Sequence, residues 1–258
     1  MPERSGTRLS VFLEVQGWRL HVEALGSGPP LLLLHSGGGG WNAGEWDEGC
    51  RQLARSHRLW RYERPGYGLS QPRDHFPRDF FDQEERLLQA LRERLGLQAA
   101  LPIVGTSDGG TIALLHTARR PQSVLGLVVE GAHGFFQSSM EEELERRARK
   151  LLVKYPPGAA RPVFAESMEK WFEGFRDPVW RDWSILKELG AITCPSLVVQ
   201  GDQDAFVDQA HAHRLAAAIP GASCRILPDC RHLCHRSQPL AYYSLLAQFL
   251  SQLPPRPA

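Results

Sequence analysis

The sequence predicts an α/β fold: a mostly parallel, twisted sheet with helices on both faces and an inserted group of helices. Three observations carry this. Apolar runs alternate with segments whose apolar residues recur at helical spacing over most of the chain. The runs are continuous, as strands covered on both faces require. The alternation stops over residues 133–192, where no convincing strand is found, and then resumes. The expected division is a core of residues 1–132 and 193–258 with a helical cap over 133–192.

Taken in order, "LSVFLEVQGWRLHVEA" reads as two strands around Gln16-Gly17, an antiparallel hairpin. "PPLLLLHSGGGG" is a short buried strand, Leu31 to His35, that runs into glycines. A polar helix is expected near Trp46–Arg55 and a strand over His57–Tyr62. Phe81, Leu87, Leu88, Leu91 and Leu95 fall on one helical face. Leu101–Val104 reads as strand, Thr111–Arg119 as helix and Val124–Val129 as strand. In the insert, Ser139 and Glu142 form a capping box before Met140, Leu144, Ala148, Leu151 and Leu152. Tyr155-Pro156-Pro157-Gly158 ends that helix, and two more helices are expected around Val163–Phe175 and Trp180–Leu189. Strand Ser196–Gln200, a helix from Asp208, strand Ser223–Leu227 and helix Leu240–Leu250 complete the core, and "LPPRPA" reads as a frayed tail.

The 258 residues are 42% hydrophobic and 23% charged, enough for one large domain or a domain with an insert. The net charge is +1 and no stretch is a dense basic block, so neither nucleic acid nor an anionic membrane is an expected partner. The start, "MPERSGTRLS", has no apolar signal core, and no run approaches the roughly 18 residues of a membrane helix. A cytoplasmic protein is expected, with its oligomeric state open. Five cysteines, an odd number, read as free thiols. Cys230, His232, Cys234 and His235 crowd together in "DCRHLCHRS". They lack a second pair at finger-like spacing, so no metal is expected.

The chemistry begins at "LPIVGTSDGGTIALLHTA". Ser107 stands where a buried strand turns into a helix. A turn that tight strains its central residue and needs small neighbours, which Gly105 and Gly109 supply in a G-x-S-x-G pattern. The hydroxyl is then held at the carboxyl edge of the sheet and at a helix N-terminus. A serine nucleophile needs a base, and the base needs an orienting acid. In a fold of this order the acid and then the histidine follow the serine. Asp204, after one strand, is the expected acid, with Asp202 and Glu130 as rivals. His232, after the last strand, is the expected base, with His235 as its rival.

The glycine run "HSGGGGW" leaves backbone N–H groups room to face a developing oxyanion. Gly37 is the expected donor, paired with the N–H of Asp108; a flexible glycine loop is the alternative. His35 is expected to brace this loop.

With these residues in view, the chain resembles the α/β-hydrolase fold superfamily. The motifs are "HSGGGG", "RYERPGYGLS", "VGTSDGG", "GDQD" and "RHLCH", in the family's order, and the resemblance spans nearly the whole chain. Glu63 stands where that family usually has Asp, and Ser36 replaces a usual glycine. Within the superfamily "GTSDGG", "MEKWFEGF" and "CRHLCHRS" resemble the biphenyl-hydrolase-like or valacyclovir hydrolase group. That resemblance implies hydrolysis of small α-amino-acid esters, with Asp108 holding the substrate ammonium. Asp108 also has a plainer use, because a carboxylate in a first helical turn gains about 0.3–1 kcal/mol from the dipole.

His133, Phe135 and Phe136 are expected to line an apolar substrate pocket under the cap. Trp171, Phe172, Phe175, Trp180 and Trp183 are further candidates, most of them expected to bury one another. The expected protein is a serine hydrolase of small carboxylic esters that needs no metal or organic cofactor. Carbon–carbon bond hydrolysis, cofactor-free peroxidation, a ligand receptor and a scaffold on the same fold are the alternatives.

Overall fold

The strand order departs from chain order at one place, and that place fixes the site. The computed structural model describes residues 8–38, 47–156 and 162–254. Gly39, Gly40, Trp46, Pro157, Gly158 and the last four residues of the expected tail lie outside them.

Eight strands form one sheet in the order β1-β2-β4-β3-β5-β6-β7-β8. They are β1 (Leu9–Val15), β2 (Trp18–Leu25), β3 (Pro30–Leu34), β4 (Arg58–Tyr62), β5 (Leu101–Thr106), β6 (Val124–Glu130), β7 (Ser196–Gly201) and β8 (Ser223–Leu227). The hairpin turns at Gln16 and Gly17, both at positive φ, and pairs Val15 with Trp18. β1, β2 and β4 pair antiparallel, while β3 to β8 pair parallel. Chain growth steps from β3 outward to β4, then crosses back to place β5 on the other side of β3. Such a switch point opens a crevice at the carboxyl ends of the two strands. Here those ends are His35 and Ser107.

Two apolar layers cover the sheet. One packs α2 (Phe80–Arg94) and α3 (Asp108–Arg119) through Leu87, Leu88, Leu91, Ile112 and Leu115. The other packs α1 (Asp47–Leu53) and α8 (Pro239–Ser251) through Leu53, Tyr242, Tyr243 and Leu246. Helix α6 (Gln209–Ala218) joins β7 to β8, and the short α7 (Cys234–Ser237) precedes α8.

Between β6 and β7 stand α4 (Ser138–Lys154) and α5 (Val163–Phe175). Two sequence expectations need correction here. The segment expected as a helix over Trp180–Leu189 is two single 3₁₀ turns, Pro178–Asp182 and Leu189–Ala191. Between them Ser184 bridges Phe135 across the insert, and that pairing holds the backbone extended. The capping box does not form either. Gln137 takes the cap position of α4, two residues before Ser139, and Ser139 Oγ donates to the Phe206 carbonyl, 2.7 Å away, instead of capping its own helix. Among the described residues no helix is long and apolar enough to cross a membrane.

Candidate active site

Strand β5 ends at Thr106 and α3 begins at Asp108, so Ser107 alone makes the turn. Its φ is 53° and its ψ −121°, a conformation that costs a non-glycine residue about 1–3 kcal/mol. Glycines make the turn fit. A Cβ on Gly105 would lie 2.4 Å from the Gly109 carbonyl oxygen, and one on Gly109 would lie 2.4 Å from that of Leu34. The Ser107 N–H donates to the Glu130 carbonyl at 2.8 Å and ties the turn to the end of β6.

His232 occupies the loop after β8. Its Nε2 lies 3.0 Å from Ser107 Oγ and its Nδ1 lies 2.7 Å from Asp204 Oδ2. Gly131, at φ +56°, gives the ring its place: a Cβ there would come within 3.0 Å of His232 Cε1. Asp204 also accepts from the Phe206 N–H at 2.8 Å and from the Gln200 side-chain amide. Burial alone pushes this carboxyl up. The facing His232 and the three hydrogen bonds outweigh that and hold it below its ordinary value.

The rivals are employed elsewhere. Asp202 accepts from the Cys230 N–H at 3.0 Å, shaping the turn that carries His232. Glu130 and His235 pair with each other. Glu130 accepts from Thr106 Oγ1 at 3.0 Å, and from the His235 N–H and Nδ1, both at 2.8 Å. Cys230 and Cys234 are buried in the apolar layer against α8. The two histidines of the Cys/His run thus have separate partners, and the two thiols pack together away from them. Among the described residues no group of three or more His, Cys, Asp or Glu is arranged to hold a metal ion.

The loop after β3 is braced from below. His35 Nδ1 donates to the Ser36 carbonyl at 2.7 Å, and its Nε2 accepts from the Arg64 N–H at 3.1 Å. Burial, with the Arg64 charge beside it, pushes the His35 pKa well down, and this bonding pattern needs the neutral ring. Arg64 donates to the carbonyls of both His35 and Ser36. Ser36 Oγ, where the resembled family usually has glycine, accepts from the Gly38 N–H at 3.0 Å and so stabilises the bend. The longer Glu63 fits because Gly68, at φ +54°, leaves the space: a Cβ there would strike the Glu63 carboxylate. Glu63 accepts from the Leu69 N–H at 2.6 Å.

Gly37 is buried beside Asp108; a Cβ on Gly37 would lie 2.6 Å from Asp108 Oδ2 and 3.0 Å from Trp171 Nε1. The Asp108 side chain is fully buried. It accepts from the Trp171 indole at 2.7 Å and lies 3.9 Å from Arg64 Nη2 and 3.9 Å from His133 Nδ1.

Ser36, Gly37, Ser107, Trp171, Phe206 and His232 line one small pocket. Trp171 and Phe206 are shared with an apolar chamber, which is walled further by His133, Phe136, Phe175 and Trp183. His133 stacks on His232 with ring centroids 5.9 Å apart. Burial, with the charge of His232 nearby, pushes its pKa down to about 3. Phe135 is not a chamber residue. Its ring is taken up by His211, stacked at 3.9 Å on one face, and by the Arg214 guanidinium over the other. Sequence reasoning missed Phe206, Arg147, Met168 and Leu233 as pocket residues. Phe206, two residues after Asp204, lay within reach of an argument from the acid loop. Arg147 sits on the polar side of α4 and gave no signal.

The geometry can be set beside known proteins. The alpha/beta hydrolase fold family matches residues 29–185. The serine hydrolase BPHL of Homo sapiens is 28% identical over 88% of this chain and 81% of its own length. The 2-hydroxy-6-oxo-6-phenylhexa-2,4-dienoate hydrolase of Burkholderia cepacia is 24% identical over 97% of this chain and 99% of its own. A meta-cleavage product hydrolase from Pseudomonas fluorescens IP01 superposes with a TM-score of 0.78 at 19% identity, covering 94% of this chain and 97% of that one. These relatives fall in the group that the sequence motifs resemble.

Proposed function

The chain belongs to the alpha/beta hydrolase fold family and is an enzyme of the hydrolase type; from that premise we propose that it cleaves small carboxylic esters through Ser107, His232 and Asp204. One observation carries the reading: the unbroken path from Ser107 Oγ through His232 to the buried Asp204 carboxylate, with contacts of 3.0 and 2.7 Å. Asp204 holds the ring with a proton on Nδ1, which leaves Nε2 as the base. His232 takes the Ser107 proton as the oxygen attacks the ester carbonyl. The N–H groups of Gly37 and Asp108 hold the oxyanion; Asp108 starts α3, so the positive end of its dipole adds to them. The alcohol departs with the proton from His232. Water, deprotonated by His232, then releases the acid from Ser107. No step calls for a metal or an organic cofactor. The helices over residues 133–192 act as a lid whose aromatic chamber takes the apolar part of the substrate.

Asp108 supports an ammonium-binding role less well. Its carboxylate is fully buried, and its Oδ2 already holds the Trp171 indole and faces the Arg64 guanidinium, so a substrate ammonium would compete with a cation already in place. Carbon–carbon bond hydrolysis is the second reading, favoured by the Burkholderia cepacia relative. The deciding experiment is labelling with a fluorophosphonate, followed by turnover of small aryl esters. Labelling at Ser107 and loss of turnover in Ser107→Ala are expected. A Ser107→Ala protein that still hydrolyses esters would end the proposal.

A further inference from the structure

The pocket that holds Ser107 has two neighbours. It shares Trp171 and Phe206 with the apolar chamber. It shares Arg147, His232 and Leu233 with a wider, more open cleft. Arg146 and Arg147 of α4 form one wall of that cleft, and Arg231 and Arg236, on either side of the start of α7, form another.

Four guanidinium groups therefore face one cleft in a chain whose net charge is only +1. Among the described residues Glu143 is the one carboxylate that lines it. Glu143 is buried and is shared by Arg146 and Arg147. One negative charge against two leaves an excess on α4 alone. Arg231 and Arg236 are exposed and have no ion pair among the described residues. Arg147 stands at the boundary, its Cζ 4.2 Å from the centroid of the Phe206 ring that also walls the chamber. A solvated charged face would scatter its arginines over a convex surface. A concave cleft between low-dielectric walls focuses their field and draws anions in. The guanidinium fork also matches a carboxylate in shape.

We infer that the substrate is a small ester with an apolar group on one side of the scissile carbonyl and a carboxylate on the other. The apolar part enters the aromatic chamber, and Arg147, Arg231 and Arg236 attract and hold the anionic end. The inference rests on the ester-hydrolase reading and sharpens its substrate class.

Two matched ester pairs test it without presuming which side of the ester is the acid. Benzyl hemisuccinate is compared with benzyl succinamate, and carboxymethyl 3-phenylpropanoate with its carboxamide. In at least one pair the anion is expected to have the higher kcat/KM, by about tenfold at low ionic strength. That ratio should fall towards one at about 0.5 M salt, where screening shortens to a few ångströms. It should also fall in the Arg231→Gln/Arg236→Gln double variant. Equal kcat/KM within both pairs, or an unchanged ratio in the double variant, overturns the inference while leaving the hydrolase reading intact.

If neither pair turns over, fluorophosphonate labelling of Ser107 replaces turnover as the readout. 4-Phenylbutyrate should then protect Ser107 better than 4-phenylbutyramide, and equal protection overturns the inference. Failure of Ser107 to label at all removes the hydrolase reading and this inference with it.

Discussion

The indole N–H of Trp171 donates to the carboxylate of Asp108 across 2.7 Å, joining α5 of the insert to the first turn of α3. The bond ties the roof of the pocket to the residue that follows the serine. Gly37 packs against both groups, so the contact also sets the loop after β3. Trp171→Phe keeps the ring contacts with Phe172 and Phe175 but removes the donor. Taking a hydrogen bond from a buried charged acceptor costs about 1–3 kcal/mol. For a chain of this size that lowers Tm by roughly 2–6 °C. kcat/KM should fall further than the Tm change explains, because roof and oxyanion loop loosen together. Thermal melts and ester kinetics on the one variant check both; a variant with unchanged Tm would show that the bond holds nothing.

Amine recognition by Asp108 has a separate test. If the buried carboxylate serves Trp171 and Arg64, a benzyl ester of a small α-amino acid and its analogue lacking the amine should differ by less than about threefold in kcat/KM. A charge-assisted contact to an ammonium is worth about 1.5–3 kcal/mol, so direct binding demands a ten- to hundredfold preference that disappears in Asp108→Asn. A preference of that size would return Asp108 to the substrate site.

What the sequence disclosed is mostly what short stretches determine. Ser107 was legible because strand, turn and helix lie within one stretch of chain and the glycines are demanded by backbone clearances of 2.4 Å. Asp204 and His232 were legible from their places after successive strands. The choice between His232 and His235 was open, since nothing local says that His235 turns to Glu130. The insert was read least well. Ser139 prefers the carbonyl of Phe206, 67 positions away, to its own helix end, and the Ser184–Phe135 bridge replaces a helix. Both are long-range contacts that propensity does not contain. The arginine cleft was invisible for the same reason, because it joins residues of α4 to residues around α7.

Glu130 and His235 should act on the histidine loop without touching the reaction. Glu130 fixes the His235 backbone and ring, and His235 lies three residues after His232. Glu130→Ala leaves buried donors without their acceptor, a cost of about 1–3 kcal/mol for each lost partner. Tm should fall, and kcat should fall with little change in KM, because His232 loses its position while the pocket keeps its walls. Glu130→Gln, which retains an acceptor oxygen, should recover part of both. A Glu130→Ala enzyme with normal kcat would confine the pair to stability.

His133 should make stability depend on pH in a stated direction. Its ring is buried beside those of His232 and Phe206, 3.9 Å from Asp108, and its pKa lies at about 3 against an ordinary 6.5. His211, under Phe135, lies at about 4, also through burial. Both folded values sit below the unfolded one, so the unfolded chain takes up protons first as pH falls. Stability from the two neutral rings is therefore complete above pH 6.5. It drains away as pH drops from 6.5 towards 4, by up to about 1.4 kcal/mol per pH unit for each ring. Asp204 works lower down: its depressed carboxyl stabilises above its ordinary 3.8 and is lost only below that. Urea unfolding between pH 7 and about 4.5 isolates the histidines from the carboxylate. His35, His57 and His116, whose pKa values burial also lowers, add to the same slope, so His133→Phe, which keeps an aromatic ring in the chamber, should remove only the share of His133, up to about 1.4 kcal/mol per pH unit. If the variant and the parent lose stability in parallel, His133 is already protonated in the fold and its burial has been misread.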